Sequence, residues 1–167
     1  VKAGWKNSYF LRDDGGVDRT EGQGLIASSF PVPDAGVRYV GVAIGTHHSY
    51  FARDDGAIDR TRGSGKLDLT ISPPEGAAYK YVAAAGGQEY TYFLRDDGAV
   101  DRTIEQTLTS NFFKSAGEVK SSFAPPAGTK YVGVSHMFCT EVEEGSVSVY
   151  FLRDDGAVDR YVEQTLT

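Results

Sequence analysis

The stretch YFLRDDGAVDRT, residues Tyr92–Thr103, decides the fold because the chain carries it four times. The other copies are Tyr9–Thr20, Tyr50–Thr61 and Tyr150–Tyr161, and successive copies start 41, 42 and 58 residues apart. Self-similarity at a period near 40 residues is typical of tandem supersecondary units. The chain is therefore a repeat protein, and the longer last interval contains insertions around Thr109–Lys120 and Cys139–Ser146.

Each copy has the composition of a tight β-hairpin. Aromatic and aliphatic residues lead into Asp-Asp-Gly, and the chain then returns through Ala-Val-Asp-Arg. Glycine adopts positive φ without a Cβ clash, and the preceding aspartate favours a turn by bonding its own backbone. The pattern predicts a turn at each Asp-Asp-Gly, with its glycine at Gly15, Gly56, Gly98 or Gly156.

Two further strands flank each hairpin. An apolar stretch precedes it, as at Tyr39–Ala43, Tyr81–Ala85 and Tyr131–Ser135, and is expected to be a buried strand. A segment that alternates polar and apolar residues follows it, as at Gly65–Ile71, and is typical of a half-exposed outer strand. Four strands in about 41 residues match one blade of a β-propeller. We predict an all-β fold of tandem four-stranded blades, either a β-propeller or an open propeller arc with four repeats.

The repeats are expected to form one domain over residues 1–167, with units at about 1–36, 37–78, 79–128 and 129–167. A buried apolar side chain contributes about 1.5–3 kcal/mol, whereas ordering one residue costs about 1–2 kcal/mol. One unit therefore does not fold alone, and its neighbours must supply the missing burial. Aligning Ser8 with Ser49 leaves the first unit without the start of its inner strand. We therefore expect the chain to be part of a longer array.

The succession YVGVAIGTHHSYFARDDGAI, Tyr39–Ile58, resembles the repeat of the regulator-of-chromosome-condensation type of β-propeller, including bacterial β-lactamase-inhibitor proteins with the same blade. The glycine before the strand, the small polar residue ahead of Tyr-Phe and the Asp-Gly turn carry this resemblance. It covers nearly the whole chain and implies a propeller fold, with nucleotide-exchange or chromatin roles as analogies. The chain departs from the family in having Asp-Arg-Thr in place of Trp-Gly after the turn, and four repeats where about seven are usual.

The composition argues against several classes of partner. The chain has 17 basic and 23 acidic residues, so that its formal net charge is -6 and no broad positive face is available for nucleic-acid phosphates. No apolar run approaches the roughly 20 residues that span a bilayer, which argues against direct membrane insertion. The single Cys139 excludes an intrachain disulfide framework and indicates no particular compartment. The localisation therefore stays unknown.

The residues that could carry chemistry favour a scaffold over an active site. The repeated aspartates lack the alternating ligands and distal glutamate of a calcium loop, and catalytic carboxylate pairs do not normally recur in every repeat. Arg12 and Asp18 are expected to form an exposed ion pair across their hairpin. His47, His48 and His136 are too few for a zinc site, and adjacent histidines on a strand point to opposite faces. We predict no enzyme activity, no metal site and no cofactor.

The residues that differ between copies are the candidate binding site. They lie in the loop before each Tyr-Phe strand, and like loops on like scaffolds are expected to emerge on one face. Aromatic residues and methionine are enriched at interface centres. The predicted partner-binding residues are Trp5, Lys6, Asn7, His47, His48, Gln88, Glu89, Tyr90, Met137, Phe138 and Glu141. The alternative interpretation is that Trp5 and Phe138 fill the junctions between blades.

The sequence thus predicts a noncatalytic binding or scaffolding module, with a protein or a larger assembly as its partner. One alternative is a carbohydrate-binding, lectin-like propeller, in which exposed aromatic rings and carboxylates hold a sugar. Another is a structural accessory subunit of a large assembly, for instance an organellar membrane complex.

Overall fold

The computed structural model describes residues 1–3, 7–21, 25–32, 34, 36–45, 48–62, 66–87, 90–104, 118–138 and 147–163. These residues form fifteen β-strands and no helix. In this part of the chain no helix is present that could cross a membrane. The predicted insertions fall largely outside the described residues.

The strands form four antiparallel sheets, each built from consecutive strands. The first contains β1 (Lys2–Ala3), β2 (Asn7–Leu11), β3 (Val17–Glu21) and β4 (Leu25–Phe30), and the second contains β5 (Tyr39–Ile44), β6 (His48–Arg53), β7 (Ile58–Arg62) and β8 (Lys66–Ile71). The third contains β9 (Tyr81–Gly86), β10 (Tyr90–Arg95), β11 (Val100–Ile104) and β12 (Val119–Phe123), and the described residues of the fourth form β13 (Tyr131–Phe138), β14 (Val147–Arg153) and β15 (Val158–Glu163). The prediction of an all-β fold with tandem blades is confirmed.

The Asp-Asp-Gly segments are the turns between the second and third strands of each sheet. Their glycines have φ between 86° and 97°, a region that side chains with a Cβ rarely adopt. In the second sheet the main-chain N–H of Arg53 donates to the carbonyl oxygen of Ala57 at 2.9 Å and closes the turn. The predicted hairpins are therefore confirmed, and the strands on either side pair in register from Ala52 with Ile58 to His48 with Arg62.

The first strand of each sheet lies innermost in the array. β1 contacts β5, β5 contacts β9, and β9 contacts β13, so that the four sheets stack in chain order around these strands. As expected, these strands are buried at their first residue, but their second residue is exposed. A register shift between Tyr39 and Gly41 turns Val40 outward, where it is 53% exposed, and Val132 is equally exposed.

The core consists of aromatic junctions between successive sheets. In each junction the tyrosine of one Tyr-Phe strand meets the phenylalanine of the next repeat. Ring centroids lie 5.6 Å apart for Tyr9 and Phe51, and 6.1 Å apart both for Tyr50 with Phe93 and for Tyr92 with Phe151. Adjacent sheets thus bury each other's aromatic side chains. This supplies the burial that a single unit lacks.

Candidate partner-binding surface

Each hairpin holds one arginine between two aspartates. In the second repeat the guanidinium of Arg53 donates to the turn carboxylate of Asp55 and, through Nη1 at 3.5 Å, to Asp59 on β7. Asp55 also accepts the main-chain N–H of Ala57 at 3.1 Å. The same arrangement recurs in the other hairpins, at Arg12, Asp14 and Asp18, at Arg95, Asp97 and Asp101, and at Arg153, Asp155 and Asp159.

These contacts hold the turn carboxylates in their ionised form. Hydrogen bonds from Arg12 hold the pKa of Asp14 below its ordinary value, and Arg153 has the same effect on the pKa of Asp155. Burial alone would raise the pKa of Asp55, but hydrogen bonds from Arg53 and from the N–H of Ala57 outweigh it and lower the pKa. A general acid needs a raised pKa, so these groups are poorly suited to proton donation at neutral pH.

In the second and third repeats the second aspartate of the network is more buried than the sequence suggests. The expected ion pair of Arg12 and Asp18 forms at 3.1 Å and is partly exposed, but the equivalent Asp59 and Asp101 are only 1% and 0% exposed. Several donors surround each of them. Asp101 accepts hydrogen bonds from the hydroxyls of Tyr79 at 2.8 Å, Tyr81 at 3.1 Å and Ser122 at 2.6 Å, and from Arg95 at 3.2 Å. A buried carboxylate with this many donors has an architectural role.

Successive repeats are joined at the turn by main-chain hydrogen bonds. The N–H of Tyr39 donates to the carbonyl oxygen of Gly15 at 2.9 Å, and Tyr131 does the same to Gly98 at 2.9 Å. A basic residue precedes each of these tyrosines. The guanidinium of Arg38 donates to the carbonyl oxygen of Asp13 in the preceding repeat. The first three turns are therefore each covered by the start of the next inner strand.

The fourth turn is less covered than its three equivalents. Val17, Ile58 and Val100 are each 0% exposed, whereas Val158 at the same position is 55% exposed. A Cβ built on Gly98 would lie 2.6 Å from the Cβ of Lys130 in the next repeat, whereas among the described residues no atom lies within 4 Å of a Cβ built on Gly156. The local sequence does not mark this difference in burial, since the fourth copy has the same Gly-Ala-Val residues as the third.

Asn7, His48 and Tyr90, which differ between repeats, begin the second strands at the opposite end of the sheets. There the first strand turns into the second, and the N–H of Gly45 donates to the carbonyl oxygen of His48 at 2.8 Å, as Gly87 does to Tyr90 at 2.9 Å. We call this the loop end, and the end with the Asp-Asp-Gly turns the turn end. The described residues thus bring His48 and Tyr90 to equivalent places in neighbouring sheets.

Three of the predicted partner-binding residues have described side chains. Asn7 accepts a hydrogen bond from Arg19 at 3.0 Å, and the guanidinium of Arg102 lies 4.5 Å from the ring centroid of Tyr90. His48 is 7% exposed, so it offers little surface to a partner. Met137 and Phe138 end β13, but only their backbone is described. The others lie outside the described residues, namely Trp5, Lys6, His47, Gln88, Glu89 and Glu141.

A small cavity lies between the innermost strands. Its volume is about 150 Å³, and it is lined by Lys2, Ala43, Ala84, Val134 and His136 among others. Within the described ranges no three histidine, cysteine, aspartate or glutamate residues come together as metal ligands would.

Comparison with known proteins supports the fold. No protein-family model and no curated protein matches the sequence. Among solved structures, BBS1N in complex with ARL6DN is similar with a TM-score of 0.64 and 15% identity over 89% of this chain and 41% of that one. Human WBSCR16 is similar with a TM-score of 0.61 and 16% identity over 95% of this chain and 45% of that one. This chain therefore spans less than half the length of the structures it matches. Those structures are β-propellers, and this chain has the fold of four tandem propeller blades.

Proposed function

We propose that this chain is a noncatalytic protein-binding module and that its loop end is the contact surface. The observation that carries the proposal is the division between repeated and variable residues. The arginines and aspartates that recur in every hairpin bond one another at the turn end, as Arg53 does with Asp55 and Asp59. Asn7, His48 and Tyr90, which differ between repeats, begin the second strands at the loop end. Unlike residues on a repeated scaffold are how repeat proteins form specific binding surfaces.

The similar structures support this proposal by analogy of fold. BBS1N, which shares the fold at 15% identity, was crystallised with ARL6DN as its partner. Propeller folds serve several functions, so the analogy favours partner binding without naming the partner. The resemblance of Tyr39–Ile58 to regulator-of-chromosome-condensation repeats also supports this proposal, because it favours a propeller scaffold of the same class. A structural subunit of a larger assembly would use the same surface.

The proposal is tested by comparing two triple variants in affinity purification from the native source, followed by mass spectrometry. In the first, Trp5, Tyr90 and Phe138 are changed to alanine at the loop end. In the matched control, Val40, Val82 and Val132 are changed to serine, since all three are exposed and stand at one equivalent position of the inner strands. We expect the first variant to lose the partner and the control to keep it, with both still folded.

The purified partner then gives the decisive measurement. Its affinity for the loop-end variant should fall at least about a hundredfold, because aromatic residues at an interface centre carry much of the binding energy. Equal affinity for both triple variants would contradict the loop-end assignment. If the first variant unfolds, its aromatic residues pack between blades, and the assignment is also wrong.

Sugar binding makes a different prediction. Stacking on a sugar needs an exposed ring face, yet Tyr39, Tyr50, Tyr81 and Tyr92 are all buried. A glycan array separates the two hypotheses, because a protein-binding module shows no sugar preference whereas a lectin-like propeller retains one class of glycan.

A further inference from the structure

We propose that the second arginine of the first, third and fourth repeats positions the residue at the start of the second strand, and that Asn7 thereby contacts the partner as a hydrogen-bond donor. These arginines are Arg19, Arg102 and Arg160, on β3, β11 and β15. The networks at the turn end contain the first arginine of each repeat, so they do not account for the second. The inference rests on the proposed function, because it states which kind of partner group the loop end contacts.

Strand pairing places the second arginine beside the start of the second strand. In the first sheet Arg19 pairs with Tyr9. Asn7 stands two positions before that tyrosine and therefore lies on the same face of the sheet, because side chains alternate along a strand. Such a diagonal neighbour is within reach of a long side chain. The same register relates Arg102 to Tyr90 in the third sheet.

The first and third repeats show this contact in two chemical forms. Arg19 Nη2 donates to Asn7 Oδ1 at 3.0 Å. The guanidinium of Arg102 instead lies over the ring of Tyr90, 4.5 Å from its centroid, where the electron-rich face attracts a cation. Both second-strand residues are half-buried at the loop end. The same type of residue therefore holds an amide in one repeat and an aromatic ring in another.

The fourth repeat contains the contact as well. Arg160 donates to Ser148 Oγ through Nε at 3.1 Å and through Nη2 at 3.0 Å. Ser148 is only 4% exposed, so this copy shows the reach of the arginine without offering a hydroxyl to a partner. Three different residues at one equivalent position are thus held by arginine from the neighbouring strand.

The second repeat shows the condition for this contact. Its arginine, Arg60, donates to Asp68 through Nε at 3.0 Å and through Nη2 at 2.8 Å. Asp68 is the extra residue where the pairing of β7 with β8 shifts, and Ala27 is the equivalent residue of the first repeat. Alanine has no side-chain acceptor, so Arg19 is available to Asn7.

The contact decides how Asn7 can bond a partner. Arginine has five N–H donors and no acceptor, so the amide of Asn7 turns its oxygen towards Arg19 and its Nδ2 group away. Arg19 is itself held in place, since it is 7% exposed and also donates to Glu21 at 2.6 Å. A partner group that meets the Nδ2 group of Asn7 must accept a hydrogen bond, as a carbonyl or carboxylate oxygen does.

Asn7→Asp in the full chain tests the donor role. Aspartate has the same shape and still accepts from Arg19, so the fold should be retained, but it lacks the two N–H donors. The probe is the partner protein that purifies with the native chain. We expect its dissociation constant to rise at least about tenfold. Ser72→Asp is the control, because it adds the same charge at an exposed residue that follows β8 at the turn end.

The positioning role is tested without any partner by nuclear magnetic resonance. The three-bond couplings about χ1 of Tyr90 should have the values of a single rotamer in the native chain and averaged values in Arg102→Gln. Arg102→Lys keeps the cation and should restore them in part. The control is Arg62→Gln, since Arg62 ends β7 at the loop end and its side chain is 55% exposed. It should leave the couplings of Tyr90 unchanged.

Several outcomes would overturn the inference. These are unchanged couplings of Tyr90 in both Arg102 variants, an unchanged affinity of Asn7→Asp, or an equal loss of affinity in Asn7→Asp and Ser72→Asp, which would show an effect of net charge. If Asn7→Asp binds as the native chain does while the loop-end triple variant does not, this inference fails and the proposed function stands. A partner that also binds the triple variant contradicts the proposed function itself.

Discussion

The main-chain N–H of Tyr81 donates to the carbonyl oxygen of Gly56 at 3.1 Å, across the junction between the second and third repeats. This bond places the start of one inner strand over the turn of the preceding hairpin. The Cβ of a side chain at Gly56 would lie 2.7 Å from the Cβ of Lys80, so the turn has no room for one. The glycine therefore serves the junction as well as the hairpin, and this double role leads to the first prediction.

Gly98→Val should lower the free energy of unfolding by more than Gly156→Val. Both glycines have positive φ, at 91° and 87°, so the backbone strain of valine is similar at the two sites. Only Gly98 also has the next repeat against it, with Lys130 Cβ 2.6 Å from the position of an added Cβ. We expect an additional loss on the order of 1–3 kcal/mol at Gly98, measured by urea unfolding. Equal losses would show that the next repeat adjusts to the added side chain without a further loss of stability.

Asp96→Ala provides the comparison within the same turn. Asp96 Oδ1 accepts the N–H of Lys80 at 3.0 Å near the surface, so its loss should cost about 1 kcal/mol. Gly98→Val should therefore destabilise the chain more than Asp96→Ala does. The reverse order would contradict the assignment of Gly98 to a turn that needs positive φ.

Asp101→Ala should destabilise the chain far more than Asp18→Ala. Asp101 is fully buried and accepts from Arg95, Tyr79, Tyr81 and Ser122, whose polar atoms would be left without their acceptor. We expect a loss of about 3–5 kcal/mol in the free energy of unfolding at Asp101. Asp18 is the matched control because it holds the equivalent place but is partly exposed. Similar losses for the two variants would argue against the burial of this network.

Acid should destabilise the chain through the turn aspartates. The folded-state pKa of Asp97 is lowered because hydrogen bonds from Arg95 and the N–H of Ala99 outweigh the opposing effect of burial. A group with a lowered folded pKa stabilises the fold above its unfolded pKa, about 3.9, and this contribution is lost as the pH falls through the folded value. The free energy of unfolding of Asp97→Asn should therefore fall less steeply below about pH 4 than that of the native chain. Glu75→Gln, the same charge change at an exposed position, is the control.

Chelators should leave the melting temperature unchanged. The second aspartate of each Asp-Asp-Gly turn is already engaged, as Asp14 is by Arg12 at 2.9 and 2.7 Å and by the N–H of Gly16 at 2.8 Å. A cation would have to displace these donors before it could bind. A melting temperature that falls with a chelator and returns with calcium would contradict the architectural role of the aspartates.

The hairpins and their turns were predictable because the same local sequence occurs four times. The Asp-Asp-Gly turn needs only glycine and aspartate chemistry, and its position follows from residues such as Gly98 alone. The outward turn of Val40 was not predictable, because it arises from a register shift between two strands and leaves no mark in an apolar stretch. The burial of Asp101 has the same origin, since its cover comes from Tyr81 and Ser122, which lie on other strands.

The burial of a residue could not be predicted from its own repeat. Val100 and Val158 occupy identical local sequences, Gly-Ala-Val-Asp-Arg, yet one is fully buried and the other is more than half exposed. Their environments differ because of what packs on them, which a residue's own repeat does not encode. At the loop end, the sequence identifies which residues vary. The contacts of His48 and Tyr90 depend on how the strands pair and pack, which the sequence does not state.

The junction between repeats also constrains symmetry. One side of it contributes a turn that accepts a hydrogen bond, and the other contributes a strand that donates one, as Gly15 and Tyr39 do. Two identical surfaces cannot supply both halves, so a two-fold axis cannot pass through such a contact. Association through a contact of this kind is necessarily heterologous, with the turn of one partner against the strand of the next. Such a head-to-tail contact either closes into a ring or propagates in one direction. A symmetric dimer of this chain would have to form elsewhere.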